Sequence, residues 1–229
     1  IYNDTLVGNN LNNIIKGGAG NDKIDGGAGN DSLYGNDGND SFIGSDGNDI
    51  IVGDIGFDTL DYSARSNSIK VTLNGSDDAT LEESGVAKDI ISGIENIIGS
   101  INDDTINGDS LDNILTGSTG NDTISGGRGN DTLDGGNDID TVNYSYLDDV
   151  ITNIYGVNVN LSDNTARDIS SGTLVGVDSI YNFENIVGTK NSDTLIGDSF
   201  DNSIKASAGD DFLSGNGGND TLDGGEGND

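Results

Sequence analysis

The fold is decided by Gly17-Gly18-Ala19-Gly20-Asn21-Asp22-Lys23-Ile24-Asp25 and the nine residues that follow, Gly26-Gly27-Ala28-Gly29-Asn30-Asp31-Ser32-Leu33-Tyr34. The two stretches align position for position, so the period is nine. The frame continues at Gly35, Gly44 and Gly53, and reaches back to Gly8 and the partial repeat Asn3-Asp4-Thr5-Leu6. It restarts at Gly99 and runs through Gly108, Gly117, Gly126 and Gly135. It restarts again at Gly188 and runs through Gly197, Ala206, Gly215 and Gly224. A short fixed period marks stacked units rather than a globule with one interior.

Two positions are strict. The sixth is Asp throughout except Asn13, Asn113 and Asn202, and the eighth is always a large apolar residue, from Leu6, Ile15 and Ile24 to Ile204, Leu213 and Leu222. Six Gly-rich residues make a turn, because Gly accepts positive φ at little cost. The last three make a short strand whose middle residue points inward. Two nonapeptides then form one coil of strand, turn, strand and turn. Turns 18 residues apart stack on the same edge, about 4.8 Å apart, and their sixth-position carboxylates form rows.

Composition says what such rows require. The chain has 229 residues, 41 acidic and 9 basic side chains and a formal charge of −32, with only 31% hydrophobic residues. Without a counter-charge that balance predicts disorder. Cations are the natural remedy, since Ca²⁺ takes six to eight oxygen ligands from carboxylates and carbonyls. There is no Cys and no His, which removes disulfides, the usual zinc sites and His-based acid–base catalysis. No catalytic set is visible, so an enzyme is not expected. So acidic a surface repels nucleic acid and anionic membranes, and no apolar run approaches a membrane span. No signal peptide is visible. The sequence lacks an initial Met and stops mid-repeat at Gly227-Asn228-Asp229, so a piece of a longer protein is expected.

The motif Gly-Gly-x-Gly-Asn-Asp-x-(Leu/Ile)-x resembles the RTX (repeats-in-toxin, haemolysin-type) calcium-binding nonapeptide, with sixteen full or nearly full copies over well over half the chain. The resemblance implies an all-β, right-handed parallel β-roll solenoid with each Ca²⁺ held between turns 18 residues apart. The earlier turn would give oxygens from positions two, four and six, the later turn from positions one, three and six. For the best-matching pair these are Gly18, Gly20 and Asp22 with Gly35, Asp37 and Asp40; next come Gly27, Gly29 and Asp31 with Gly44, Asp46 and Asp49. The remaining candidate side chains are Asp4, Asp58, Asp104, Asp122, Asp131, Asp140, Asp193, Asp211, Asp220 and Asp229. The remaining turn residues are Asn36, Gly38, Gly53, Gly117, Thr119, Gly120, Gly126, Gly135, Asn137, Gly209, Gly215, Gly217, Gly224 and Glu226. Pairing sixth positions 18 apart gives eleven potential sites. The second repeat of each block carries Asn at position six and Leu11, Leu111 or Phe200 at position four. Strain and a neutral ligand should make those sites poor, and these coils are expected to begin each roll as apolar caps.

The blocks divide the chain into residues 1–61, 99–143 and 188–229, the last truncated, joined by wider irregular β inserts at 62–98 and 144–187. The inserts resemble one another. Each opens with Tyr-Ser (Tyr62-Ser63, Tyr144-Ser145), then alternates (Ile69 to Leu73, Val157 to Leu161). Each closes in frame with Ile94-Glu95-Asn96-Ile97 or Phe183-Glu184-Asn185-Ile186. Glu95 and Glu184 are expected to bind an edge Ca²⁺ or cap a turn, and Tyr62 and Tyr144 to pack in the core or at the edge. Glu82-Glu83 and Asp148-Asp149 read as solvated acidic loops, and Arg65, Arg128 and Arg167 as surface charge balance.

The functional expectation is a calcium-rigidified spacer in a bacterial secreted or surface protein of adhesin type, exported by type I secretion and folded outside the cell. Its expected partners are calcium and copies of itself or cell-surface polysaccharide. Two alternatives remain open: a self-assembling S-layer, sheath or filament protein, and the non-catalytic tail of a secreted enzyme. Ice binding is disfavoured, because position three runs Ala19, Ala28, Asp37, Asp46, Ile55 with Thr119 isolated.

Overall fold

One large apolar residue in nine cannot enclose itself, so the repeats stack. The computed structural model describes residues 2–147, 155–169 and 176–229, and every named element within them is a strand. Alternate nonapeptides feed two sheets, each of twelve strands among the described residues. In the first sheet, Leu6, Ile24, Phe42 and Leu60 stand side by side in parallel register at intervals of 18 residues. In the second, Ile15, Leu33 and Ile51 do the same.

The core is the slot between these two rows. Ile24, Leu33, Phe42, Ile51 and Leu60 are at most 1% exposed, which at about 25 cal/mol per Å² is the main apolar contribution such a fold has. The slot is one side chain deep from each side. The rest of the cohesion lies in the backbone ladders and in the turns.

The inserts depart from the expected wider coils. After Thr59–Asp61 the chain crosses to the second sheet and lays down Ile69–Thr72, Ala79–Glu83 and Val86–Ser92 as an antiparallel meander. It fills that sheet backwards. Val86–Ser92 pairs in parallel with Ile50–Ile55, while Ile69–Thr72 pairs in parallel with Thr105–Asn107. Asn96–Ile98 then rejoins the first sheet beside Thr59–Asp61. The second insert repeats the device with Val157–Asn160, Thr165–Asp168 and Val177–Tyr181, but in the first sheet. The reason is parity. Five nonapeptides, an odd number, lie between the inserts, so the chain reaches the second one half a coil out of phase.

Glu82-Glu83 is not a solvated loop. Both residues end the Ala79–Glu83 strand, and Glu83 is buried against Arg65 at 3.1 Å. Arg65 also bridges Asp46 at 2.7 Å, which makes it a clamp between insert and roll rather than free surface charge. Asp148-Asp149 lies outside the described residues.

Candidate metal centres

Each sixth-position Asp precedes a strand and sits inside the turn before it. From the second coil of each block on, its Oδ1 accepts the backbone N–H of the sixth-position residue one coil earlier. The bond is 2.7 Å from Asp4 to Asp22, from Asp22 to Asp40 and from Asp40 to Asp58. On the other edge, Asn13 donates to Asp31 and Asp31 to Asp49, both at 2.8 Å. In the second block, Asp104 donates to Asp122 at 2.7 Å and Asp122 to Asp140 at 2.8 Å. In the third, Asp193 donates to Asp211 at 2.7 Å and Asp211 to Asp229 at 3.1 Å.

The other oxygen is the informative one. Oδ2 of Asp22, Asp31, Asp40, Asp58, Asp122, Asp131, Asp140 and Asp211 is buried without any hydrogen-bond partner. A buried, unpaired anionic oxygen costs several kcal/mol unless a proton or a cation meets it. Burial and neighbouring carboxylates push Asp58 and Asp122 up to about 7, and Asp131 to about 8.

The turn explains where these oxygens point. All eight follow a position-two residue in the left-handed region, with φ between 74° and 108°: Gly18, Gly27, Asn36, Asp54, Ser118, Gly127, Gly136 and Ser207. We term these turns open. In six other turns position two, namely Asn9, Ser45, Ser100, Asp109, Thr189 and Asp198, is not left-handed. Five of these donate their N–H to the sixth-position side chain: Asn9 to Asn13, Ser100 to Asp104, Asp109 to Asn113, Thr189 to Asp193 and Asp198 to Asn202, at 2.6 to 3.0 Å. Such shut turns leave no orphan oxygen. In the sixth, the Ser45 hydroxyl donates to Asp49 Oδ2 at 3.0 Å.

Position one carries Gly for a different reason. Gly17, Gly35 and Gly117 are not left-handed. A Cβ on Gly17 would collide with Asp22 Oδ2 and lie 2.9 Å from the Gly35 carbonyl oxygen; on Gly35 it would collide with Asp40 Oδ2 and lie 2.8 Å from the Gly53 carbonyl. Gly17, Gly35 and Gly117 thus let one carboxylate oxygen and one carbonyl of the next coil close together on the backbone. Oxygen-only donors on two adjacent turns suit a hard cation such as Ca²⁺. Among the described residues no group of three or more carboxylates converges, so any such site draws on backbone carbonyls. The carbonyls of Asp37 and Asp46 each accept one N–H, from Gly20 and Gly29 at 2.9 Å, which leaves each one lone pair.

The family model for the RTX calcium-binding nonapeptide repeat matches this chain in four copies, over residues 1–33, 26–60, 107–142 and 196–229. The chain belongs to the RTX calcium-binding nonapeptide repeat family. It is therefore a calcium-binding repeat region, and its stacked parallel coils are the β-roll of that family. A comparison with curated protein sequences returns no match.

Within the RTX frame the geometry sorts the candidates. The open turns bring together Asp22 with Asp40, Asp31 with Asp49, Asp40 with Asp58, Asp122 with Asp140 and Asp211 with Asp229. At Asp104 and Asp193 both carboxylate oxygens are already engaged, by Ser100 and Thr189. The Asn-bearing turns are also self-satisfied. The Asn113 and Asn202 amides donate to the carbonyls of Glu95 and Glu184 at 2.9 and 3.1 Å. Leu11, Leu111 and Phe200 are not in the left-handed region and bear no strain there, contrary to expectation. They are also not caps: they stand out from the edge, 72%, 46% and 69% exposed.

Two ladder members escaped the sequence reading. Asp89 Oδ1 accepts the Asp49 N–H at 2.8 Å and Asp178 Oδ1 accepts that of Asp131 at 3.2 Å, so both are sixth-position residues inside inserts. Their second oxygens are met by hydroxyls, Tyr62 on Asp89 and Tyr144 on Asp178. Both tyrosines are buried, as expected, and burial beside a carboxylate raises each phenol well above its ordinary value. The Asp-Ile-Ile and Asp-Ser-Ile triplets at 89–91 and 178–180 were the available signal.

Proposed function

We propose that this chain is a structural spacer whose RTX coils are rigidified by calcium outside the cell, in a secreted or surface protein of adhesin type. The reading rests above all on the orphan Oδ2 atoms of the open turns; at Asp22, Asp40 and Asp122 that oxygen and a carbonyl of the next coil both close on a position-one Gly. A cation there cancels charge, links adjacent coils and supplies the cohesion that a slot one side chain deep lacks. Binding to the folded state alone then drives folding by mass action. Affinities of roughly 10⁻⁴–10⁻³ M suit a module that meets calcium only after export. No helix among the described residues is long and apolar enough to cross a membrane. The candidate ligands remain those of the open turns, with Asp22, Asp31, Asp40 and Asp58 forming the densest group.

Far-UV circular dichroism in excess chelator and in millimolar calcium tests this. The expected result is a coil-like spectrum without calcium and a β spectrum with it. The same β content under both conditions at neutral pH would overturn the reading.

A further inference from the structure

The orphan oxygens do not stop where the nonapeptides stop. Asp58 and Asp140 are the last sixth-position residues before the two inserts, so neither has a partner 18 residues on. Both are nevertheless fully buried, with Oδ2 unpartnered.

Their surroundings match atom for atom. Asp58 Oδ1 accepts the Asp40 N–H at 2.7 Å, and its own N–H donates to Glu95 Oε2 at 2.8 Å. Its carbonyl accepts from Glu95 at 3.2 Å and Asn96 at 2.9 Å. Asp140 Oδ1 accepts the Asp122 N–H at 2.8 Å, and its N–H donates to Glu184 Oε2 at 2.9 Å. Its carbonyl accepts from Glu184 at 3.2 Å and Asn185 at 2.9 Å. Every polar atom is used except Oδ2.

At each junction the orphan oxygen and a carbonyl close on a position-one Gly, as in the regular turns. A Cβ on Gly53 would collide with Asp58 Oδ2 and with the Gly93 carbonyl oxygen. A Cβ on Gly135 would collide with the Asn182 carbonyl oxygen and lie 2.7 Å from Asp140 Oδ2. Gly93 and Asn182 are both left-handed, at φ 59° and 57°, and each stands two residues before its Glu. A regular turn spaces its first Gly five residues before Asp. The insert turn is three residues shorter, and the extra methylene of Glu spans what the missing residues leave.

We propose that each junction between roll and insert holds a further calcium site, formed by Asp58 Oδ2, the Gly93 carbonyl and Glu95 at one, and by Asp140 Oδ2, the Asn182 carbonyl and Glu184 at the other. The proposal rests on the reading that calcium fills the open turns. The shortened turn lacks the position-three carbonyl, so water completes the shell and the sites fill at higher calcium than their neighbours. Two inserts of different length, in opposite sheets, build the same half-cage, which a chance packing defect would not do.

Crystals of the full chain grown in millimolar calcium test both levels through anomalous difference maps. Peaks between Asp22 and the Gly35 carbonyl, and between Asp58 and the Gly93 carbonyl, are expected together. Peaks between stacked open turns within the blocks but none at the junctions would overturn the proposal and leave the calcium reading intact. No peak anywhere would overturn both. In solution, native mass spectrometry of the double variant Glu95→Gln/Glu184→Gln should count two fewer ions than the parent. The amide oxygen still accepts the Asp58 and Asp140 N–H, so the turn keeps its bond. An unchanged ion count would overturn the assignment.

Discussion

Glycine has two jobs in these turns, and substitutions separate them. Gly18 is left-handed at φ 108° with open space where a Cβ would go. Gly18→Ala should cost only the backbone term, about 1–2 kcal/mol, and keep its ion. Gly35 has an ordinary backbone but no room. Gly35→Ala should lose one bound calcium and a further 1–3 kcal/mol, roughly the price of overpacking. Calcium stoichiometry and thermal melts of the two variants decide this; equal ion counts would contradict it. Tyr62 does by proton what calcium does elsewhere. Tyr62→Phe leaves Asp89 Oδ2 bare and should destabilise the roll by about 1–3 kcal/mol even at saturating calcium, measured by urea unfolding. The Gly positions were visible in the sequence, but their division was not. A string of Gly records the absence of a side chain and not whether conformation or crowding forbids one.

Turns, rather than strands, carry the element-scale chemistry. Several open-turn carboxylates have raised pKa values, about 7 for Asp58 and Asp122 and about 8 for Asp131, against 3.8 for the free group. A raised folded-state value means that the folded, calcium-free chain holds more protons than the unfolded chain. That contribution is fully present below about pH 4 and is lost as pH rises through 7 to 8. The calcium-free chain should therefore gain β structure on acidification from pH 8 to pH 4, while calcium affinity falls over the same range as protons compete. Circular dichroism across that range, with and without calcium, checks both signs; a metal-free chain equally unfolded at both ends would refute them. The strands themselves were legible, since the eighth position named each inward residue. The distinction between open and shut turns was half legible. Non-Gly residues at position four, Leu11, Asn102, Leu111, Asn191 and Phe200, accompany five of the six shut turns. The Ser45 turn keeps Gly47 and is shut by its hydroxyl, with the Tyr62 ring packed over Gly44, a contact that no local pattern encodes.

At the scale of the whole molecule, each insert places three strands, among the described residues, in one sheet against a single strand in the other, and the two surpluses fall on opposite sheets. Strands lie about 4.8 Å apart and facing sheets about 10 Å apart, so an uncompensated pair of extra strands must bend the axis. Removing residues 62–98 joins Asp61 to Gly99 in frame and leaves the second surplus unopposed. Small-angle scattering should show a curved particle for that deletion and a straighter one for the full chain; equal curvature would refute the balance. The sequence showed that the inserts were related, but not that they run antiparallel, because alternation fixes which face is buried and not which way a strand runs. The odd count between inserts has a further consequence, for how such a protein changes over generations. Gain or loss of one nonapeptide turns everything beyond it to the opposite side of the rod, whereas gain or loss of two restores the original facing. Duplication in units of nine is thus a binary switch on what the rod displays to its surroundings, and duplication in units of eighteen alters only its reach.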